Sequence, residues 1–435
     1  MNFSQSTLFN LAASVGLLLI NLLISVIEAR LLGPQALGRY QVFLTTQTVF
    51  NTVFSLGIGQ ACIYFINSLK KDMIVVVTSS VKFLIPFSVA ASVLLFMTLN
   101  IFSSYFQEKN HWYIMLFCIG TNALLINTIL MPVLLTKMQV VKRQIVNYIS
   151  RIVVLLSILL LLLLHVNLSV GLLISLVGLS NVIALWLLHR YLKKYIQWNL
   201  PMDKTLIKDL FLWGIKLSGN NMASIILSSI PVYFLSWFSV ADTGMENVGF
   251  YTRSSSLLVA GTVAASSIGP LIYAKWSTLQ GNQLKGQVQR LSILFFLFNA
   301  IISLFLMIFS SFIIILLYGE EFSAAIPVLK VLAITLVFNG FREICYGVLS
   351  SQGKPLKIMK NLTIGALIMA LVAWFVIPGF GVVGCAYVTL TVTAFTSILL
   401  MLDVCSISNV SMADFFHLPD KAEIKSIVNN IITRK

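Results

Sequence analysis

Charged residues are scarce in this 435-residue chain: 29 Lys+Arg and 14 Asp+Glu make up 10% of it, against about 25% in an ordinary soluble domain. So little charge cannot clothe a soluble fold of this length, so the surface must face something apolar, and lipid is the simplest candidate. Histidine is scarcer still, four in the whole chain, and no HExxH pair occurs. The five cysteines (Cys62, Cys118, Cys345, Cys385, Cys405) lie singly in apolar segments without CxxC spacing. They read as small buried apolar residues, not as a disulfide framework or metal site. Gly353-Lys354 is followed by Pro355 and lacks the earlier glycine of a nucleotide phosphate loop, and no GxSxG is present. No catalytic residue, metal or cofactor is expected. Without a nucleotide site, energy for any transport comes from an ion gradient, the membrane potential or downstream consumption of the product.

What is abundant is apolar sequence, 58% of the chain. A bilayer core of about 30 Å needs about 20 helical residues. Runs of that kind lie near 6–31, 40–67, 77–102, 112–136, 150–166, 168–189, 212–238, 252–275, 290–317, 326–350, 360–377 and 381–403. Gly33-Pro34, Asn199-Leu200-Pro201, Gly353-Lys354-Pro355 and Pro378-Gly379 punctuate them. The runs show no period-2 alternation, so a β-barrel is not indicated. The fold class predicted is all-α, a polytopic membrane protein of about 12 transmembrane helices.

The net charge of +15 would suggest nucleic acid in a soluble protein. Here the basic residues fall between apolar runs, and no nucleic-acid partner is expected. If the N-terminus is cytoplasmic, 23 of the 29 Lys+Arg fall in inner connections or the C-terminal tail and 5 on the outer side. Arg342 alone is inside a span. That asymmetry predicts that both termini are cytoplasmic. Residues 1–30 do not read as a cleaved signal peptide: the apolar run is too long and no A-x-A site follows.

An internal repeat is visible. Gly33-Pro34-Gln35-Ala36-Leu37-Gly38-Arg39-Tyr40 and Gly244-Met245-Glu246-Asn247-Val248-Gly249-Phe250-Tyr251 both fit G-x4-[LV]-G-x-Y, 211 residues apart. Asn10 and Asn221 share that offset. Spans one and two therefore correspond to seven and eight. Six spans per half give a parallel repeat about an axis along the membrane normal. The halves are taken as 1–190 and 212–403, with a cytoplasmic linker 191–211 and a cytoplasmic tail 404–435.

These segments resemble a known family. Glu28-Ala29-Arg30-Leu31-Leu32-Gly33-Pro34 with Leu37-Gly38-Arg39-Tyr40 resembles the first inter-helix segment of polysaccharide-biosynthesis flippases. These are the Wzx-type O-antigen transporters of the multidrug/oligosaccharidyl-lipid/polysaccharide exporter superfamily. Leu56-Gly57-Ile58-Gly59-Gln60, Val248-Gly249-Phe250-Tyr251 and Leu317-Tyr318-Gly319-Glu320-Glu321-Phe322 with Ala325 and Pro327 follow in order. Ser351-Gln352-Gly353-Lys354-Pro355, then Ile377-Pro378-Gly379-Phe380-Gly381 with Gly384 and Ala386, complete the set. The resemblance implies two pseudo-symmetric six-helix bundles across a central cavity, and alternating access. It implies an undecaprenyl-diphosphate-linked oligosaccharide, an O-antigen or capsule repeat unit, moved from the cytoplasmic to the periplasmic leaflet of the bacterial inner membrane. Partners implied are that substrate, the lipid bilayer and the polysaccharide polymerase machinery.

Candidate site residues follow from the cost of charge in a membrane. Arg342 and Glu343 lie well inside span ten; Arg342 would meet the substrate diphosphate, Glu343 would carry a proton or orient a sugar. The plainer reading is that they satisfy each other or snorkel. Arg30, Arg39 and Arg253 sit at the outer ends of spans one, two and eight, and guanidinium suits phosphate; the plainer reading is interfacial anchoring. Glu28 is the second candidate for proton or ion coupling. It is two residues from Arg30, a spacing at which helical side chains do not face each other, so no salt bridge between them is assumed. Asn10, Asn21, Asn220 and Asn221 would bond a sugar or, more ordinarily, another helix.

Two alternatives stand beside the flippase. A drug/cation antiporter of the same superfamily is disfavoured because spans one to six hold no mid-membrane acid. A membrane-bound O-antigen polymerase or ligase is disfavoured because no long outer loop is present.

Overall fold

The computed structural model describes residues 3–101, 106, 110–137, 139–238, 243–276 and 281–416, with the backbone alone over 3–11, 260–275 and 281–282. Helix dominates throughout. Its elements are α1 (Phe3–Ser55), α2 (Ile58–Asn67), α3 (Met73–Ile101), α4 (His111–Leu130), α5 (Val133–Thr136), α6 (Val140–Leu163), α7 (Val170–Leu192), α8 (Lys204–Phe238), α9 (Thr243–Trp276), α10 (Gly281–Ile308), α11 (Ser310–Tyr318), α12 (Ala325–Ser351) and α13 (Pro355–Ile407).

Nine helical stretches among the described residues are long and apolar enough to cross a membrane. Two are too long for one crossing. The 53 residues of α1 would span about 80 Å at ~1.5 Å per residue, more than twice a ~30 Å bilayer core. α1 is interrupted at Gly33 (φ 67°), just before Pro34. α13, equally long, is interrupted at Gly381 (φ 55°), three residues after Pro378. Both glycines take left-handed backbone that L-residues resist, so each long helix is two arms and two crossings. With the 34 residues of α9, the protein has about twelve membrane helices in two pseudo-symmetric bundles. Large apolar side chains such as Leu94, Met97, Leu160, Leu163, Phe305, Leu371 and Phe375 are exposed, as lipid contact requires.

Within the N-terminal bundle, α4 packs chiefly on α7, with α3 and α6 flanking the pair; in the C-terminal bundle α12 lies at the centre, against α9, α10 and α13. Polar bonds join helices where apolar contact with lipid gives no preference. Gln47 donates to Thr121 at 2.9 Å and Asn51 to Thr128 at 2.9 Å. All five cysteines are free and four are buried.

The repeat is written into the contact between bundles. A Cβ on Gly38 would run into the Met245 carbonyl; a Cβ on Gly249 would run into that of Pro34. Pro34 and Met245 are themselves repeat equivalents. The contact is therefore self-complementary, as at an isologous dimer interface, and it lets α1 and α9 touch backbone to backbone.

Several boundaries differ from the sequence expectation. Span five begins at Val140, not near 150, so Arg143 and Arg151 are inside a helix and not in a connection. α9 begins at Thr243, which places Arg253 ten residues into its helix and not at an end. The segment 191–211 is no slack linker: α8 starts at Lys204, and Lys82 donates to the carbonyls of Trp198 and Leu200 at 2.7 and 2.6 Å. At α6 and α8 basic residues near the helix start lower the local hydropathy while the backbone stays helical; at α9 the first turns carry Gly, Glu and Asn instead. Residues 417–435 of the expected tail lie outside the described residues, as do Lys109 and the side chains of Asn10 and Lys275.

Candidate functional site

On α12, Thr335, Asn339, Arg342 and Tyr346 recur at i, i+4, i+7 and i+11, the spacing of one helical face. That face lines a cavity of about 450 Å³. Ser224 and Ser228 of α8, Thr252, Ser255 and Ser256 of α9, and Thr389 and Thr393 of α13 close it on the C-terminal side. Gln41 and Thr45, from the second arm of α1, reach it from the other bundle. Among the described residues, Arg342 is the one charged side chain in this lining. It lies nine residues from the end of α12, or about 14 Å.

Many cavity hydroxyls donate to their own helix, as Ser255 does to the Thr252 carbonyl (3.0 Å) and Thr335 to that of Leu332 (2.5 Å). Their lone pairs remain for an incoming donor. Three polar atoms of the α12 face are buried without a partner, Asn339 Oδ1, Arg342 Nε and the Tyr346 hydroxyl. Such atoms are costly unless a ligand or water meets them. The guanidinium of Arg342 stands 5.9 Å from the centre of the Tyr346 ring. Glu343, on the next helical position, projects elsewhere and is half-buried.

The other sequence candidates are distributed differently. Arg253 is buried and meets Glu28 at 3.5 Å, an ion pair across the two bundles. It also donates to the carbonyl of Ser25 (3.2 Å) and to its hydroxyl, and Tyr40 donates to Glu28. Ser25 and Ser256 both reach the Tyr318 hydroxyl, at 3.5 and 3.2 Å. Arg30 is exposed and donates from Nε and a terminal nitrogen to the carbonyls of Leu317 (3.0 Å) and Leu316 (2.5 Å), capping the C-terminal end of α11. Arg39 is half-buried, and its Nε has no partner. Glu28 thus belongs with Arg253, not Arg30. Asn21 lines a second, apolar cavity of about 550 Å³ with Leu17, Leu18 and Leu22 of α1, Leu257 of α9, Leu306 of α10 and Ile313 of α11. Ser256 and Val259 line both cavities, so the polar chamber and the apolar crevice adjoin at α9.

Sequence reasoning missed the hydroxyl lining, because Ser and Thr that bond their own helix look alike wherever they point. It also missed Arg151, which lies in electrostatic reach of Glu28 and Tyr40.

Comparison with known proteins places this architecture. The model of the family described as "Polysaccharide biosynthesis protein" matches residues 3–272. The chain belongs to that family. Over 202 residues it is 25% identical to an uncharacterized membrane protein of Methanocaldococcus jannaschii. The match covers 45% of this chain and 39% of that protein, so it spans about two fifths of the curated relative. Among solved structures the chain is similar to the lipid II flippase MurJ in an inward closed conformation (TM-score 0.74, 13% identity, 98% of this chain and 92% of that one). It is also similar to an inward-facing multidrug resistance MATE family transporter of the MOP superfamily (0.71, 15%, 90% and 94%). A third is a MOP superfamily transporter from Pyrococcus furiosus (0.63, 15%, 93% and 94%). At these identities the family member shares their fold.

Proposed function

We propose that the protein is a flippase that moves an undecaprenyl-diphosphate-linked oligosaccharide from the cytoplasmic to the periplasmic leaflet by alternating access. One observation carries the reading: a hydroxyl-rich chamber with a single cation, Arg342, adjoins an apolar crevice at Ser256 and Val259. That pairing suits an amphiphile with an anionic joint. Sugar hydroxyls exchange hydrogen bonds with Ser and Thr, the guanidinium forks onto phosphate oxygens, and the lipid stays in apolar surroundings. Membership of the polysaccharide biosynthesis family supports the same substrate class. The excess of Lys and Arg at one end of the bundle supports a cytoplasmic orientation for that end. The Gly38–Met245 and Gly249–Pro34 contacts then lie at the periplasmic end, closed in this conformation, as expected of one state in an alternating cycle.

Export of cationic drugs fits less well. The chamber offers a cation no carboxylate, and Arg342 would repel it.

The reading is tested by extracting lipids from cells that lack the gene. Undecaprenyl-diphosphate-linked repeat units are expected to accumulate with headgroups on the cytoplasmic face while surface polysaccharide disappears. Repeat units that reach the periplasmic face unpolymerised would instead assign the protein to polymerisation. Unchanged polysaccharide together with lost drug resistance would assign it to efflux.

A further inference from the structure

Two arginines of α6 have no place in the chamber just described. Arg143 and Arg151 lie three and eleven residues into Val140–Leu163, so Arg151 is about 16 Å along the helix. With Asn147 between them they stand at i, i+4 and i+8, a single stripe. The stripe continues at i+11 and i+15 as Val154 and Ile158, both buried. On the far side of α6, Leu156, Leu160 and Leu163 are exposed as lipid-facing residues, while Ile145 and Ile152 line a cavity of about 510 Å³ with Ala12 and Ala13 of α1. Arg151 is exposed as well, but on the opposite side, the one buried further along at Val154 and Ile158.

One contact and one electrostatic influence say where this side of α6 lies. Tyr148 donates to the Ala13 carbonyl at 2.6 Å and seats α6 against the first arm of α1. Arg151 feels the charge of Glu28 and the hydroxyl of Tyr40, on the two arms of α1 beside the C-terminal bundle. Glu28 is already engaged by Arg253. Arg143 is half-buried, and its Nε is buried without a partner. A cation held at this depth faces water or a ligand of opposite sign. α6 is also the most amphipathic of the long unkinked helices, as a helix between lipid and a wet cleft should be.

We infer that Arg143, Asn147 and Arg151 form a second anion-binding stripe, on the N-terminal bundle. It takes the diphosphate of the lipid-linked substrate from the basic end of the cleft and passes it to Arg342 on the opposite bundle. This assignment rests on the flippase reading. The two arginines are two turns apart, about 12 Å, so they act as successive positions and not as one clamp. Asn147 between them donates to a phosphate or sugar oxygen.

The test uses the full-length protein in nanodiscs of neutral lipid, titrated with undecaprenyl diphosphate, with phosphatidylglycerol as competitor and the unfolding temperature as a control for folding. Arg151→Gln is expected to raise Kd about tenfold, the effect of losing one charge-assisted bond. Arg143→Gln raises it less, the double variant more than either, and Arg151→Lys recovers part. If Arg151→Gln yields no folded protein, Arg151→Lys decides: a Kd between wild type and the Arg143→Gln/Arg151→Lys variant supports the stripe. A double variant that binds as wild type does overturns the stripe and leaves the flippase standing. A wild-type protein with no affinity for undecaprenyl diphosphate overturns both. Displacement by phosphatidylglycerol from the wild type but not from the double variant assigns the stripe to lipid headgroups, and the substrate role falls.

Discussion

Arg342 and Arg253 are both candidates for the substrate diphosphate, the first expected well inside a span and the second at an outer end, and their surroundings separate them. Arg253 is paired: Glu28 and Ser25 engage its terminal nitrogens, although its Nε has no partner. Arg342 keeps an unpartnered Nε in a chamber wall. Their substitutions should fail in different ways. Arg342→Ala is expected to reduce translocation at least tenfold, with an unchanged unfolding midpoint, and Arg342→Lys to retain part of the rate; a reconstituted transport assay beside thermal unfolding checks both. Arg253→Met leaves Glu28 without its ion-pair partner, with only the Tyr40 hydroxyl bonded to it, a loss of about 3–5 kcal/mol for a broken buried pair. Glu28→Leu/Arg253→Met is expected to recover most of it, measured as a double-mutant cycle of unfolding in detergent. The sequence made Arg342 legible because it breaks an apolar run. It hid the Glu28–Arg253 pair because the partners are 225 positions apart in the chain, and only the packing of α1 on α9 joins them. It hid Arg151 for a different reason: basic residues near a helix start lower the hydropathy, and the segment reads as a connection.

Elements tell the same story about what hydropathy can and cannot locate. Twelve crossings were readable because each needs a run of about 20 apolar residues. The start of α6 was not, since its first turns carry Lys142, Arg143 and Arg151 on a backbone whose hydrogen bonds do not depend on side-chain polarity. The G-x4-[LV]-G-x-Y repeat was readable as a pattern, while its purpose, two backbone contacts related by pseudo-symmetry, needed coordinates. Gly38→Ala and Gly249→Ala should each wedge α1 from α9 by meeting the facing carbonyl. Both are expected to open the periplasmic end, and to similar extents, because the contacts are equivalent; labelling of a single cysteine placed beside the contact measures it. At the other end, the short turn Met412–Phe416 docks on α10 through Asp414. Burial alone would raise this carboxyl. The Ser411 backbone and side chain, Lys285 and Gln289 donate to it and outweigh burial, holding it at about 2. A depressed carboxylate pKa stabilises above its unfolded value, so docking should be complete above 3.8 and lost as pH falls toward about 2. A spin label at the turn is expected to stay immobilised to the upper limit and loosen below it, and in Asp414→Asn to be mobile at neutral pH.

At the scale of the whole molecule, an amphiphile is met by an amphipathic interior. The exterior is apolar, the interface between bundles holds, among the described residues, the buried Glu28–Arg253 ion pair and close backbone contacts at Gly38, Gly249 and Gly57–Gly214, and the polar chamber opens on an apolar crevice. On the proposed reading, the pseudo-two-fold supplies two bundles that rock about a shared seam, and the asymmetry of their interior, Arg342 on one and the α6 stripe on the other, gives the diphosphate successive sites. None of that asymmetry follows from hydropathy, since it depends on which face of each helix is turned inward. The central claim is that this interior carries a diphosphate-linked glycan across the bilayer. The most direct measurement reconstitutes the protein in vesicles that hold fluorescent undecaprenyl-diphosphate oligosaccharide in both leaflets, then adds an impermeant quencher outside. With the wild-type protein nearly all the fluorescence should be lost, because inner-leaflet lipid keeps arriving; with Arg342→Ala or no protein, only the outer-leaflet share should be lost. Wild-type vesicles that protect the inner-leaflet share as empty ones do would contradict the account.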